Sequence, residues 1–370
     1  RSGRTRGLTG LVYRGVEGVT RMIGKGADAV LAGGARRFEP AGRERPASSS
    51  RDNVLAALNG VIGDRMAADD NPLATPMTFR YEGATIEDGG PALASGPGGK
   101  VLLLIHGLCR NESHWRARHD GAEVDHGEQL AAALGYTPVH LRYNSGLHVS
   151  ANGRELSERL ERLLARWPAP VEELTVVAHS MGGLVIRSAL HSGRSDGADW
   201  PERVRHVVFL GTPHHGAPLE RAGSWVDAIL AGTPYTAPFA RLGKLRSAGI
   251  TDLRYGHVVD EDWRGRDRFE RVPDRRAVVP LPEGVACHAV AATTAAGPGV
   301  LSDRVVGDGL VPVRSALGIH DDPRRDLGFA EGDRHVVYGT SHMGLLGNPD
   351  VTRQMIRWLE PARAGVRGGA

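Results

Sequence analysis

The sequence predicts an α/β protein with a mostly parallel central sheet that is flanked by helices. Continuous apolar segments, typical of strands buried on both faces, recur along the chain. Segments with the three- and four-residue apolar spacing of amphipathic helices lie between most of them. Such alternation of strands and helices is typical of a parallel sheet. The 370 residues are enough for two domains, or for one large domain with additions.

The first fifty residues differ in composition from the rest of the chain. They contain ten basic and four acidic residues, although the whole chain has a net charge of only +3. Apolar spacing from Leu8 to Val30 predicts a helix that several glycines weaken. After a linker, a second helix is expected from Asp52 to Met66. We therefore predict an N-terminal helical extension over residues 1–75, which either packs on the main domain or contacts an anionic membrane or polymer surface.

The main domain is expected over residues 76–370. A hairpin is predicted over Thr78–Tyr81 and Ala84–Ile86, where Glu82-Gly83 supplies the turn. Further strands are predicted over residues 101–105, 138–143, 174–178, 204–210, 285–292 and 335–338. Helices are predicted over residues 124–134, 155–167, 181–191 and 349–359.

One interval interrupts this alternation. About seventy residues separate the strand at 204–210 from the strand at 285–292. Within this interval, residues 217–231 have helical spacing, and residues 260–276 are so rich in charge that a solvated loop is expected. We predict an insertion over about residues 214–283 that forms a cap or lid over the sheet.

The most informative motif lies where a buried strand turns sharply into a helix. The segment Ala-His-Ser-Met-Gly-Gly places Ser180 on this turn, with the small residues Ala178, Gly182 and Gly183 where strand and helix backbones nearly touch. Ala178 replaces the first glycine of the usual G-x-S-x-G pattern. Ser180 is therefore a candidate nucleophile, and the backbone N–H of Met181 is a candidate oxyanion donor. The alternative is an ordinary strand–turn–helix.

A serine nucleophile needs a base and an orienting acid, which follow it along the chain in this topology. His342, which follows the last predicted strand, is the candidate base. Asp308 lies between two glycines that permit an inward turn and is the candidate acid, with Asp303 as the alternative. The sequence His106-Gly-Leu after the strand at 101–105 suggests the N–H of Leu108 as a second oxyanion donor. His106 itself is expected to shape that turn.

Together with Leu210–Gly216 (LGTPHHG), these motifs resemble the lipase and esterase branch of the α/β-hydrolase superfamily over about residues 76–360. The resemblance implies a Ser180–Asp308–His342 triad and an oxyanion hole formed by Leu108 and Met181. It also implies hydrolysis of acyl esters through an acyl-enzyme, with no cofactor.

The residue type at the nucleophile position distinguishes other activities of the same superfamily. Haloalkane dehalogenases and epoxide hydrolases carry Asp at this position, and polyester synthases carry Cys, so Ser180 argues against all three. A deacylase or thioesterase acting on a larger acyl conjugate, and a polyester hydrolase, remain alternatives. A non-catalytic binding module on the same scaffold is a further one.

Several side chains have two possible roles. Trp115, Trp225, Ile229 and Leu230 either line a substrate pocket or pack on the core. His214 and His215 are adjacent, but no metal-ligand motif accompanies them, so no metal is expected.

The remaining expectations concern environment and partners. Cys109 and Cys287 are predicted at opposite edges of the sheet, too far apart for a disulfide, and free thiols are compatible with a cytoplasmic location. No apolar run of about 18 residues predicts a membrane-spanning helix. The net charge gives no reason to expect a nucleic-acid partner, and the sequence gives no oligomeric state.

Overall fold

The computed structural model describes residues 49–86, 97–217, 247–265, 274–299 and 307–360. The chain divides into two compact units, residues 1–47 and 48–370, and every described residue belongs to the second. The helix predicted between Leu8 and Val30 lies outside the described residues. Helix α1 (Ser49–Ala68) belongs to the second unit, although the sequence assigned it to the N-terminal extension.

Within the described residues, one sheet contains eight strands and a separate hairpin contains two. The strands are β1 (Thr78–Tyr81), β2 (Ala84–Ile86), β3 (Lys100–Ile105), β4 (Arg116–His119), β5 (Ala122–Asp125), β6 (Thr137–Arg142), β7 (Glu173–His179), β8 (Val204–Leu210), β9 (Ala286–Ala292) and β10 (Arg334–Val337). Their order in the sheet is β2-β1-β6-β3-β7-β8-β9-β10, and β4 pairs with β5. All neighbours from β6 to β10 are parallel, whereas β1 and β2 are antiparallel. The predicted α/β architecture, a mostly parallel central sheet flanked by helices, is therefore confirmed.

Helices connect and cover the strands. They are α1 (Ser49–Ala68), α2 (His126–Leu134), α3 (Val149–Ala165), α4 (Met181–Ser195), α5 (Ala248–Tyr255), α6 (Val313–Ala316) and α7 (Pro349–Leu359). Helix α3 packs on α4, and α2 packs on α7. Leu102 and Leu104 of the central strand β3 lie in one apolar cluster with Leu130 of α2 and Met355 of α7. The sheet and the helices packed on it thus form the apolar core that supports the candidate site.

Two parts of the fold differ from the sequence prediction. Residues 116–125 form the β4–β5 hairpin, which was not predicted. Its turn has positive φ at Asp120 (+48°) and Gly121 (+83°), and Asp-Gly is a strong signal for such a turn. The charged segment 260–276 was expected to be solvated, but Asp262 is buried and accepts backbone N–H bonds from Val258 and Ala277.

The predicted insertion is described only in part. Helix α5 lies in it and was not predicted, and the helix predicted over residues 217–231 lies outside the described residues except for its first one. None of the helices in the described part of the chain has the length and apolar character needed to cross a bilayer.

The two cysteines are buried free thiols, as predicted. Burial raises the pKa of Cys109 and of Cys287 to about 12, because the thiolate would lose its hydration. Neither thiol is a nucleophile at neutral pH.

Candidate active site

Ser180 lies on a strained turn between β7 and α4. Its backbone has φ +54° and ψ −123°, a conformation that costs a non-glycine residue on the order of 1–3 kcal/mol. Its N–H donates to the carbonyl oxygen of Leu210, 2.8 Å away, which ties the turn to the end of β8. The predicted position of Ser180 at the C-terminal edge of the sheet therefore matches the structure.

The glycines after Ser180 are required by close backbone packing. A Cβ on Gly182 would lie 2.6 Å from the carbonyl oxygen of Ile105, and one on Gly183 would lie 2.0 Å from Oγ1 of Thr212. Ala178, by contrast, pairs in register with Ile105 of β3 and is fully buried. A methyl group fits there, so the departure from the usual glycine leaves the turn intact.

His342 and Asp308 form a buried pair. Nδ1 of His342 donates to Oδ2 of Asp308 across 2.6 Å, and the two side chains are 3% and 1% exposed. The other carboxylate oxygen, Oδ1, accepts the N–H groups of Leu310 (2.9 Å) and Val311 (2.7 Å). The N–H of His342 also donates to the carbonyl oxygen of Asp308 across 3.0 Å. The carboxylate thus fixes the ring and its tautomer, leaving the lone pair of Nε2 free.

The imidazole lies at the same edge of the sheet as the serine. A Cβ on Gly211, which directly follows Leu210, would lie 3.2 Å from Cε1 and Nδ1 of His342. Nε2 of His342 is buried and has no hydrogen-bond partner in the described part of the chain. His179, adjacent to the serine, places its Nε2 3.2 Å from the carbonyl oxygen of His342. Ser180 and His342 therefore both border the end of β8.

The loop after β3 lies against the serine. A Cβ on Gly107 would lie 2.9 Å from Cβ of Ser180. The next residue, Leu108, is buried, and Met181 is the first residue of α4, so its N–H has no intrahelical acceptor. The two predicted oxyanion donors thus belong to segments that adjoin Ser180.

Two contacts that the sequence did not reveal hold the loop after β3. Cys109 has φ +59°, and its N–H donates to Oγ of Ser145 across 3.0 Å. On the other side, a Cβ on Gly60 of α1 would lie 2.2 Å from Sγ of Cys109. Neither Ser145 nor Gly60 lies in a recognisable motif. Both are far from Cys109 along the chain, so the sequence did not indicate these contacts.

His106 shapes the turn, as expected, rather than reacting. Its Nδ1 lies 2.9 Å from the carbonyl oxygen of Gly107, and its ring stacks on Tyr143 with centroids 4.4 Å apart. The hydroxyl of Tyr143 donates to the carbonyl oxygen of His106 across 2.8 Å. Burial lowers the pKa of His106 to about 4, so the ring is neutral at neutral pH.

The pocket prediction fails for Trp115. Its side chain is only 1% exposed and packs in the core cluster with Leu345 and Leu346, because the helical turn that carries it folds onto the segment after His342. Trp225, Ile229 and Leu230 lie outside the described residues, as does Asp303, the alternative acid.

The metal prediction concerns His214 and His215. In the described ranges, no group of three or more His, Cys, Asp and Glu side chains is arranged to hold a metal ion. Both histidines lie in the loop after β8.

The chain is similar to one family model and to several solved structures. A domain of unknown function, DUF7379, matches residues 71–252. No curated protein matches the chain. Among solved structures, the lipase BlEst2 of Bacillus licheniformis is similar at 20% identity, with 77% of this chain and 98% of that chain covered and a TM-score of 0.46.

Two further solved structures that are similar to the chain are an esterase and a thioesterase. The naproxen esterase of Bacillus subtilis has 12% identity, covers 84% of this chain and 99% of that chain, and gives a TM-score of 0.38. The RedJ thioesterase of Streptomyces coelicolor has 16% identity, 71% and 89% coverage and a TM-score of 0.37. These structures are similar to the chain in fold, at identities below 25%.

Proposed function

We propose that the protein is a serine hydrolase that cleaves carboxylic esters with Ser180, His342 and Asp308. One observation carries the proposal. The buried Asp308–His342 pair leaves the imidazole Nε2 free at the sheet edge where Ser180 is held in strained backbone. Strain of this kind is concentrated at functional sites, and a fully buried Asp–His pair beside a serine is the arrangement of acyl-transfer enzymes.

The reaction follows from these groups. Nε2 of His342 accepts the hydroxyl proton while Oγ of Ser180 attacks the ester carbonyl, and the N–H groups of Leu108 and Met181 stabilise the resulting oxyanion. Collapse breaks the bond to the alcohol, which leaves with the proton from Nε2. Water then repeats the sequence on the acyl-enzyme and releases the acid, while Asp308 keeps the imidazole in its tautomer and stabilises its charge.

Labelling and turnover test the proposal together. A fluorophosphonate probe should modify Ser180, and nitrophenyl esters of rising chain length should be hydrolysed. Ser180→Ala should lower kcat by about 10⁴-fold or more without unfolding the protein. Ser195→Ala is the matched control, because that serine is exposed at the end of α4 and its hydroxyl donates to the carbonyl oxygen of His191 in its own helix. Labelling at another residue, or full turnover by Ser180→Ala, would refute the assignment.

A further inference from the structure

A polar pocket lies beside the loop that follows β8. Its empty space, open mouth and adjoining solvent included, is about 480 Å³. Its basic side is lined by Arg187 of α4, by His214 and His215 of the loop, and by Arg276, Arg324 and Arg325. Asp326 is also in the lining. The proposed reaction uses none of these residues.

Arg187 brings a buried cation to this pocket. The residue is 5% exposed, and its Nη2 donates to the carbonyl oxygen of Val279 across 2.5 Å. Its Nε–H is buried and has no hydrogen-bond partner among the described residues. Burial, with a smaller effect of the Arg276 guanidinium, lowers the pKa of Arg187 to about 10, which leaves it charged at neutral pH. A buried unmatched donor on a cation is costly unless an acceptor satisfies it.

The acids near Arg187 and in the lining already have other partners. Asp326 of the lining accepts the backbone N–H groups of His320 (3.2 Å) and Gly328 (2.8 Å). Asp262, whose charge acts on Arg187, accepts the backbone N–H groups of Val258, Val259 and Ala277. At the pocket's basic side, Arg276 pairs with Asp274 across 2.6 Å. Arg325 and Arg324 likewise have carboxylate partners, in Asp274 and Asp322. Among the arginines of the pocket, Arg187 is therefore the one that no carboxylate contacts directly within the described ranges.

His214 adds a second unmatched donor. Nη1 of Arg187 lies 3.4 Å from Nδ1 of His214, and because a guanidinium can only donate, Nδ1 is the acceptor. The proton of the neutral ring is then on Nε2, which is buried without a partner in the part of the chain described. Burial and the nearby Arg187 charge lower the pKa of His214 far below its usual value, so the ring is neutral.

We propose that this pocket binds the oxyanion group, phosphate or carboxylate, of a small ligand, with Arg187 Nε–H and His214 Nε2–H as its buried donors. An oxyanion supplies the acceptors that both donors lack and balances the buried guanidinium. The site is separate from the triad but shares the loop after β8 with it: Gly211 contacts His342, and His214 lines the pocket.

Calorimetric titration with inorganic phosphate and, separately, acetate tests the proposal, at constant ionic strength so that general screening does not change. We expect saturable binding of one anion per chain. Stronger binding of phosphate identifies a phosphorylated ligand, and stronger binding of acetate identifies a carboxylate. No saturable binding of either anion up to about 50 mM would overturn the proposal, because water would then satisfy both donors.

Two variants locate the site. His214→Phe keeps an aromatic ring between Phe209 and Phe329, whose centroids are 4.8 and 5.6 Å from that of His214, and should weaken anion binding about tenfold. Arg187→Met should abolish it; if that variant does not fold, His214→Phe alone decides. Arg353→Ala, an exposed arginine of α7 outside the pocket, is the matched control. Unchanged affinity in His214→Phe would overturn the proposal. Ser180→Ala should bind the anion normally, so failure of the proposed hydrolase activity leaves this test intact.

Discussion

Replacing Asp308 with asparagine reverses the hydrogen-bonding direction at His342. Oδ1 of Asp308 accepts two backbone N–H groups, from Leu310 and Val311, and Oδ2 accepts Nδ1–H of His342. In the Asp308→Asn variant the side-chain carbonyl oxygen must remain opposite the two N–H groups, because an amide NH₂ cannot accept them. The NH₂ group then faces Nδ1, which must become the acceptor. The imidazole proton therefore moves to Nε2.

A protonated Nε2 on a neutral ring cannot accept the hydroxyl proton of Ser180. In serine hydrolase triads this change of tautomer lowers kcat about 10⁴-fold, which corresponds to about 5.5 kcal/mol in the activation barrier. KM should change little, because Asp308 contacts the imidazole and backbone only. The assay is steady-state hydrolysis of a short nitrophenyl ester, with thermal unfolding to confirm that the nearly isosteric variant is folded.

Asp303→Asn is the matched control, since it makes the same chemical change at the alternative acid. We expect its kcat to stay within about twofold of the parent enzyme, a difference well below 1 kcal/mol in the barrier. The reasoning fails if folded Asp308→Asn keeps more than a tenth of the parent kcat. It also fails if Asp303→Asn causes the larger loss.

The remaining predictions concern stability and thiol reactivity. Gly183→Ala should lower the free energy of unfolding by about 1–3 kcal/mol, because the new methyl group meets Thr212, and adding Thr212→Ala should restore part of the loss in urea titrations. The pKa of His106 is lower in the folded state (about 4) than in the unfolded chain (about 6.5), so the unfolded state binds more protons as pH falls. His106 should therefore contribute no pH dependence well above pH 6.5 and about 3 kcal/mol of the fall in unfolding free energy on acidification to pH 4, to which His114 and His215 also contribute because their pKa values are lowered too. His106→Phe should reduce the fall, and an equal fall in that variant would contradict the argument. Cys109 and Cys287, with pKa values of about 12, should react with a thiol reagent at neutral pH only after denaturation, and rapid labelling of the native protein would contradict their burial.

The features that sequence predicted well depend on local chemistry. The hairpin at β1 and β2 matches its predicted bounds, and α7 begins at Pro349 as the Asn-Pro start signal indicated. The strand-to-helix turn at Ser180 was predictable because the small residues that it needs all lie within the six consecutive positions 178–183. The Asp308–His342 contact joins residues 34 apart, yet each lies in a short motif that follows the order of the strands.

Contacts between distant segments could not be predicted in this way. Ser145 meets Cys109 across 36 residues, and neither belongs to a pattern that specifies the other. Trp115 looked like a pocket residue because it lies in the loop after β3, but its side chain is buried in the core cluster with Leu345 and Leu346, which are more than 200 residues away along the chain. Arg187 did give a local signal, a lone arginine within the apolar run Leu-Val-Ile-Arg-Ser-Ala-Leu of α4, but its partners are 27 or more residues away.

Helix α1 packs closely against the loop that precedes the candidate site. Its residues Gly60 and Gly63 approach Cys109 and Asn144 so closely that a Cβ on either would overlap those side chains. The carbonyl oxygen of Gly60 also accepts a 2.7 Å hydrogen bond from Oγ of Ser247, next to α5. A helix packed this tightly restricts the loop that holds Leu108, and an oxyanion donor is effective only when it is positioned before charge develops. Helix α1, which the sequence assigned to the N-terminal extension, therefore packs against the loop that holds the proposed oxyanion donor. The sequence did not reveal this because a small residue facing a loop gives no periodic signal.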